Sequence, residues 1–160
     1  MRVRLLVVVS AIVVAFGLAA LASAFWAANS TPSDPGVLTV DIRQLRVGAV
    51  DEIATSTPKT NPPNARVFVV REHNNAVVAF LARSTLEGCR LLKVDRPHYQ
   101  PYIPGVDFED PCHGSLYTLT GRCIGGPCPR ALDHYAVRVA GNHATINLTQ
   151  LIAGSPRQAS

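Results

Sequence analysis

From Leu5 through Ala28 the chain carries no charged side chain, and the run LLVVVSAIVVAFGLAALASAFWAA is apolar almost throughout. About 22 such residues, each rising about 1.5 Å, make a helix of roughly 33 Å, long enough to cross the hydrocarbon core of a bilayer. A segment of that kind adds nothing to a water-soluble core, so the 160 residues leave room for one small domain beside it. Arg2 and Arg4 flank the run on its N-terminal side; Trp26 and a polar, uncharged stretch from Asn29 to Ser33 follow it. The positive-inside rule then predicts residues 1–4 in the cytoplasm and residues 5–28 as a single transmembrane anchor helix. The rest lies on the extracytoplasmic, periplasmic or outer, face, with Phe25 and Trp26 at the interface. A cleaved secretory signal is the competing reading, because Ala20–Ala24 supplies small residues of the right kind. The apolar run is longer than the usual h-region of about 7–15 residues, which favours a retained anchor.

Residues 29–36, NSTPSDPG, form a short turn-rich linker, with two prolines that limit its reach. Beyond it the apolar runs are short, rich in Val, Ile, Leu and Tyr, and separated by turn residues, which is an all-β pattern. Strands are predicted at Val37–Ile42, Val50–Ala54, Arg66–Glu72 and Ala76–Ala82, with a hairpin turn at His73-Asn74-Asn75. Further strands are predicted at Cys89–Val94, Tyr135–Val139 and Ala144–Ile152, the last two joined across Ala140–His143. Thr55–Ala65 reads as a loop, and nothing beyond the anchor reads as a helix. The expected architecture is a small antiparallel sandwich or partly open barrel over residues 37–152, followed by a flexible tail at 153–160. The basic residues are scattered, so the formal net charge of +4 makes no nucleic-acid footprint.

Chemistry-bearing residues crowd into Glu109–Arg130, EDPCHGSLYTLTGRCIGGPCPR, which holds three prolines, four glycines, one histidine and three of the four cysteines. A Cys-His pair beside a Gly-Pro-rich loop suggests the lining of a metal site. Its ordered pieces are Cys112-His113-Gly114-Ser115, Gly121, and Gly125-Gly126-Pro127-Cys128-Pro129-Arg130. Upstream, Gly88-Cys89 closes a loop that follows an apolar strand. Taken together, residues from about Val37 to Leu151 resemble a Rieske iron–sulfur domain. In that family a Cys-x-His-x-Gly-Cys box and a Cys-x-Cys-His-Gly-Ser box each supply one Cys and one His to a [2Fe–2S] cluster. The remaining cysteine of each box joins the two loops, and a Gly-Gly-Pro-x-Pro loop covers the cluster.

The resemblance assigns the four ligand positions to Ser84, Leu86, Asp110 and His113, so one family ligand, His113, is retained. Leu86 has no donor atom, and Ser84 and Asp110 offer hard oxygen where the cluster takes soft thiolate. The resemblance therefore implies a degenerate member with no cluster, metal or other cofactor. Four cysteines allow three pairings. The family match implies Cys89–Cys112 as the loop clasp and leaves Cys123–Cys128 to pin the cover loop of Gly125, Gly126, Pro127 and Pro129. Asp110 and His113 alone are too few for a zinc site. His73, His143 and His134 read as solvated or turn residues.

No nucleophile–base pair suggests an enzyme. The segment between the boxes, DRPHYQPYIPGVDFED, is longer than the family spacing and carries Tyr99, Tyr102 and Phe108, candidates for contact with a partner. Asn29 and Asn147 stand in glycosylation sequons. The resemblance implies an accessory, structural subunit of a membrane-bound respiratory or photosynthetic electron-transfer complex, its partners the membrane and the other subunits. An extracytoplasmic binding or assembly module, for a protein or for a small ligand in the emptied cluster pocket, is the second reading. An active [2Fe–2S] carrier is the third.

Overall fold

The computed structural model describes residues 36–94 and 103–157. The anchor, the linker up to Pro35, Asn29, His98, Tyr99 and Tyr102 lie outside the described residues. Among the described residues no helix is long and apolar enough to cross a membrane. These residues form ten strands: β1 (Val37–Asp41), β2 (Val50–Ala54), β3 (Arg66–Arg71), β4 (Val77–Leu81), β5 (Leu92–Lys93), β6 (Phe108–Glu109), β7 (Leu116–Tyr117), β8 (Cys123–Gly125), β9 (His134–Ala140) and β10 (His143–Ile152). They build a six-stranded sheet in the order β1-β10-β9-β4-β3-β2 and a four-stranded sheet in the order β5-β6-β7-β8, with every pairing antiparallel. The fold is all-β and Rieske-like, as expected.

The sequence explains how the layers meet. Along β10 the burial alternates, with Ala144, Ile146 and Leu148 inward and Thr145, Asn147 and Thr149 outward, as period-two patterning requires. In β3 the run Val67–Val70 is buried throughout, because both faces are covered. Val67 and Val69 join Ala79, Leu81, Ala144 and Ile146 in one core, while Phe68 and Val70 turn to the other. That second core seats the small sheet. Phe68 stacks on Phe108 of β6 at a centroid distance of 4.8 Å, and Phe80 of β4 meets the same ring edge-on at 6.4 Å. Phe108 is therefore a core residue with no exposed surface, and its expected part in a partner contact is corrected.

Strands β6, β7 and β8 had no counterpart in the sequence reading. They are two or three residues long, too short for alternation to register. Residues 153–157, expected as the start of a flexible tail, are tied to the domain. Ala131 N–H donates to Ser155 O at 2.9 Å, Arg157 N–H to Pro129 O at 3.1 Å, and Gly154 N–H to Asp133 Oδ1 at 3.0 Å.

Candidate functional site

Three loops leave the small sheet and the end of β4. The first, Ser84–Gly88, is closed by Ser84 N–H donating to Cys89 O at 2.7 Å and by the antiparallel bridge Arg83–Arg90. Its reversal runs through Glu87 and Gly88, at φ 55° and 71°. The second, Asp110–Ser115, is closed by Asp110 N–H to Ser115 O and Gly114 N–H to Asp110 O, both 2.8 Å. The third, Gly125–Arg130, follows β8. Cys89 and Cys112 join the first two loops in a disulfide, Cα–Cα 6.3 Å, and Cys123 and Cys128 close the third, Cα–Cα 6.1 Å.

Asp110 is the hub. It has no exposed surface, yet its Oδ1 accepts from the backbone N–H of Cys112 at 2.9 Å and of His113 at 3.3 Å. Its Oδ2 lies 3.2 Å from His113 Nδ1, and the Ser84 hydroxyl of the first loop also hydrogen-bonds the carboxylate. Burial on its own raises the pKa of such a group. The hydrogen bonds from Ser84, Cys112 and His113 outweigh it and hold the Asp110 carboxyl below its ordinary value. His113 carries the link back to the first loop, with Nε2 3.2 Å from Glu87 Oε2.

Behind this knot stands Tyr117, fully buried, whose hydroxyl lies 3.3 Å from Ser84 Oγ and 3.0 Å from Thr85 Oγ1. Thr85 in turn donates to Arg130 O at 3.0 Å, so the first loop is tied to the end of the third. Leu86 N–H donates to Ser84 Oγ at 3.2 Å, and the Leu86 side chain offers hydrocarbon alone. Ser115 Oγ is buried without a hydrogen-bond partner. Cys89, Asp110 and Cys112 bring their polar atoms within 4.8 Å of one another, but both sulfurs are in the disulfide and present no thiolate.

The cover loop lies against the second loop at van der Waals distance. A Cβ built on Gly126 would sit 2.1 Å from Gly114 O, and φ there is +72°. The glycine is needed on both counts. Arg157 Nη1 donates to Gly126 O at 2.6 Å and straps the loop from the outside. Arg130 pairs with Asp133 through Nε and Nη2 at 3.0 and 2.8 Å.

Ser84, Leu86, Asp110 and His113, dispersed in sequence, thus stand on two adjoining loops. They present one hydroxyl, one hydrocarbon, one carboxylate and one imidazole. The sequence reading did not single out Tyr117, Thr85, Glu87 or Arg157. Tyr117 carried no sequence signal, because its strand is two residues long and its partners Ser84 and Thr85 come from a distant loop.

No family model matches the chain. It is 30% identical over 107 residues to the cytochrome b6-f complex iron-sulfur subunit of Chlorobaculum thiosulfatiphilum, covering 67% of this chain and 55% of that protein. It is 26% identical over 107 residues, with the same coverage, to the subunit of that name from Chlorobaculum tepidum. The chain spans about half the length of the curated relatives it matches. Among solved structures it is similar to the plasma membrane Rieske protein of Synechocystis PCC 6803, with 29% identity, 59% of this chain and 84% of that one, and TM-score 0.44. A structure titled hyperthermophilic respiratory Complex III shares 27% identity over 84% of this chain and 98% of that one, with TM-score 0.48. Sequence kinship with iron–sulfur subunits joins the ordered Cys-His-Gly-Ser and Gly-Gly-Pro-Cys-Pro-Arg motifs: the chain belongs to the Rieske iron–sulfur protein family.

Proposed function

We propose that this chain is a cluster-less Rieske subunit with a structural role in a membrane-bound electron-transfer complex, respiratory or photosynthetic. The observation that carries the reading is the state of the donor set. A [2Fe–2S] cluster needs thiolate sulfur, and in Rieske centres imidazole on one iron. Here Leu86 has no donor, Ser84 and Asp110 offer oxygen, and the nearby sulfurs of Cys89 and Cys112 are in a disulfide. The Asp110 oxygens are already engaged by both loops. These residues do not fit the cluster. Ser115, at the position where the family's hydroxyl supports the cluster, is left with no partner of its own.

The shape of the tip is nevertheless kept by the disulfides, the Asp110 knot and the packed Gly126. A scaffold retained without its donors points to a role in contact and assembly. The membrane complex as partner is supported by the relatives, one named for a cytochrome b6-f complex and one titled as a respiratory complex. The anchor at residues 5–28 would hold the chain in the bilayer, with residues 37–152 on the extracytoplasmic face.

Purification of the full chain from membranes in mild detergent under anaerobic conditions tests this. The expected result is fixed-stoichiometry recovery with cytochrome or quinone-oxidising subunits, and neither stoichiometric iron nor acid-labile sulfide in this chain. Isolation as a free monomer would sink the subunit assignment. Iron and sulfide with a reduced-state EPR signal from this chain would overturn the argument from the donors.

A further inference from the structure

Three arginines converge beside the first loop. Arg66 opens β3, while Arg83 and Arg90 face each other across the bridge where the chain enters and leaves that loop. With Asn64, Ala82 and Gly88 they line a cleft of about 270 Å³. The carboxylate that meets them is Glu52 of β2, whose Oε1 accepts from Arg66 Nη1 at 3.1 Å and from Arg90 Nη2 at 2.9 Å. Glu87, in the same loop, is turned to His113 Nε2 at 3.2 Å. The Arg66 and Arg90 side chains are 46% and 54% exposed, so donors not used on Glu52 reach the solvent. At Gly88 a Cβ would meet nothing within 4 Å, which leaves that wall of the cleft open.

Guanidinium groups are always charged, and each presents a planar fork of donors suited to oxyanions. Among the described residues Glu52 is the one carboxylate paired with these arginines, so three guanidinium charges at the cleft outnumber it by two. A planar monoanion would satisfy half of that excess. A dianion with oxygens in several directions matches the charge and offers an acceptor to each of the three lining arginines.

We propose that this cleft binds a dianionic tetrahedral oxyanion, either free phosphate or sulfate or a terminal phosphomonoester. This goes beyond the subunit assignment and does not rest on it. Because Arg90 follows Cys89, an occupied site would add an ionic link between β3 and the clasped first loop.

The test is an NMR titration of the full chain in detergent with inorganic phosphate, at ionic strength held constant with chloride. Saturable shifts are expected at the amides of Arg83, Gly88 and Arg90. Arg83→Gln should weaken binding about tenfold or more by removing a charge-assisted donor. Glu52→Gln should tighten it several-fold, because it frees Arg66 and Arg90 from their competitor; a merely solvated arginine patch would not respond in that way. Glycerol 3-phosphate competing as well as phosphate would identify a phosphomonoester as the group recognised, and failure to compete would identify the free ion; either supports the site. Shifts that do not saturate, or that spread equally to Arg43, Arg46, Arg122 and Arg138, would overturn it. So would an Arg83→Gln variant that binds phosphate as the parent does.

Discussion

A carboxylate can be fully buried only where its surroundings satisfy it, and at Asp110 they do so from both loops. The amides of Cys112 and His113 and the hydroxyl of Ser84 converge on it, and His113 passes the connection to Glu87. A carboxyl held below its unfolded value by such bonds takes up its proton only at lower pH than the unfolded chain does. Its stabilisation is complete above the unfolded pKa of about 3.9 and is lost as pH falls through the folded value. Asp110→Asn is therefore expected to cost roughly 1–3 kcal/mol at neutral pH, and to flatten the fall in stability below about pH 4. Urea unfolding of both proteins across that range reads the difference, and parallel pH profiles would count against the knot. The motif spacing, being local, was enough to single out Asp110 in the sequence. That it serves as acceptor for Ser84 was not legible there, because this bond joins loops far apart in the chain.

Among the elements, the three loops hold together by different means. The Cys89–Cys112 bridge spans a sequence separation of 23 and Cys123–Cys128 one of 5. Chain entropy then assigns about 3 kcal/mol to the first and about 2 kcal/mol to the second. Replacing Cys89 and Cys112 by Ala should thus destabilise the domain more than replacing Cys123 and Cys128, as measured by denaturant midpoints at equal m-value. The reverse order would mean that the cover loop, and not the clasp, carries the tip. The pairing was expected from the family match and is present in the structure. The strap from residues 153–157 was illegible, because two of its bonds, Ala131–Ser155 and Pro129–Arg157, are backbone bonds and the others pair single side chains with distant backbone, which leaves no periodic pattern. Strands β6, β7 and β8 escaped for a related reason: a strand of two or three residues has no period.

At the scale of the molecule, the two sheets share a core through β3 and β4, each of which presents one face to each apolar cluster. Phe68, Phe80 and Phe108 seat the small sheet through ring contacts, and Cys128 of the cover loop packs in the same cluster. A domain built this way should not depend on iron. An iron chelator is expected to leave its Tm unchanged, whereas a thiol reductant should lower it by more than about 10 °C, since each kcal/mol lost shifts Tm by roughly 4–8 °C in a domain of this size. A chelator-induced fall in Tm would contradict the cluster-less reading. The alternation in β10, the solid apolar run of β3 and the turn at His73-Asn74-Asn75 were enough to read the large sheet, since each depends on neighbours within a few residues. Composition and motif order likewise determined the all-β class and the family. Tertiary structure alone decided the rest. It sent Phe108 into the core, made Tyr117 the hydroxyl hub between loops, and gathered Arg66, Arg83 and Arg90 around one cleft. Those outcomes depend on which loops and strand faces meet in space, and a periodic pattern records which face a residue takes but not what lies opposite it.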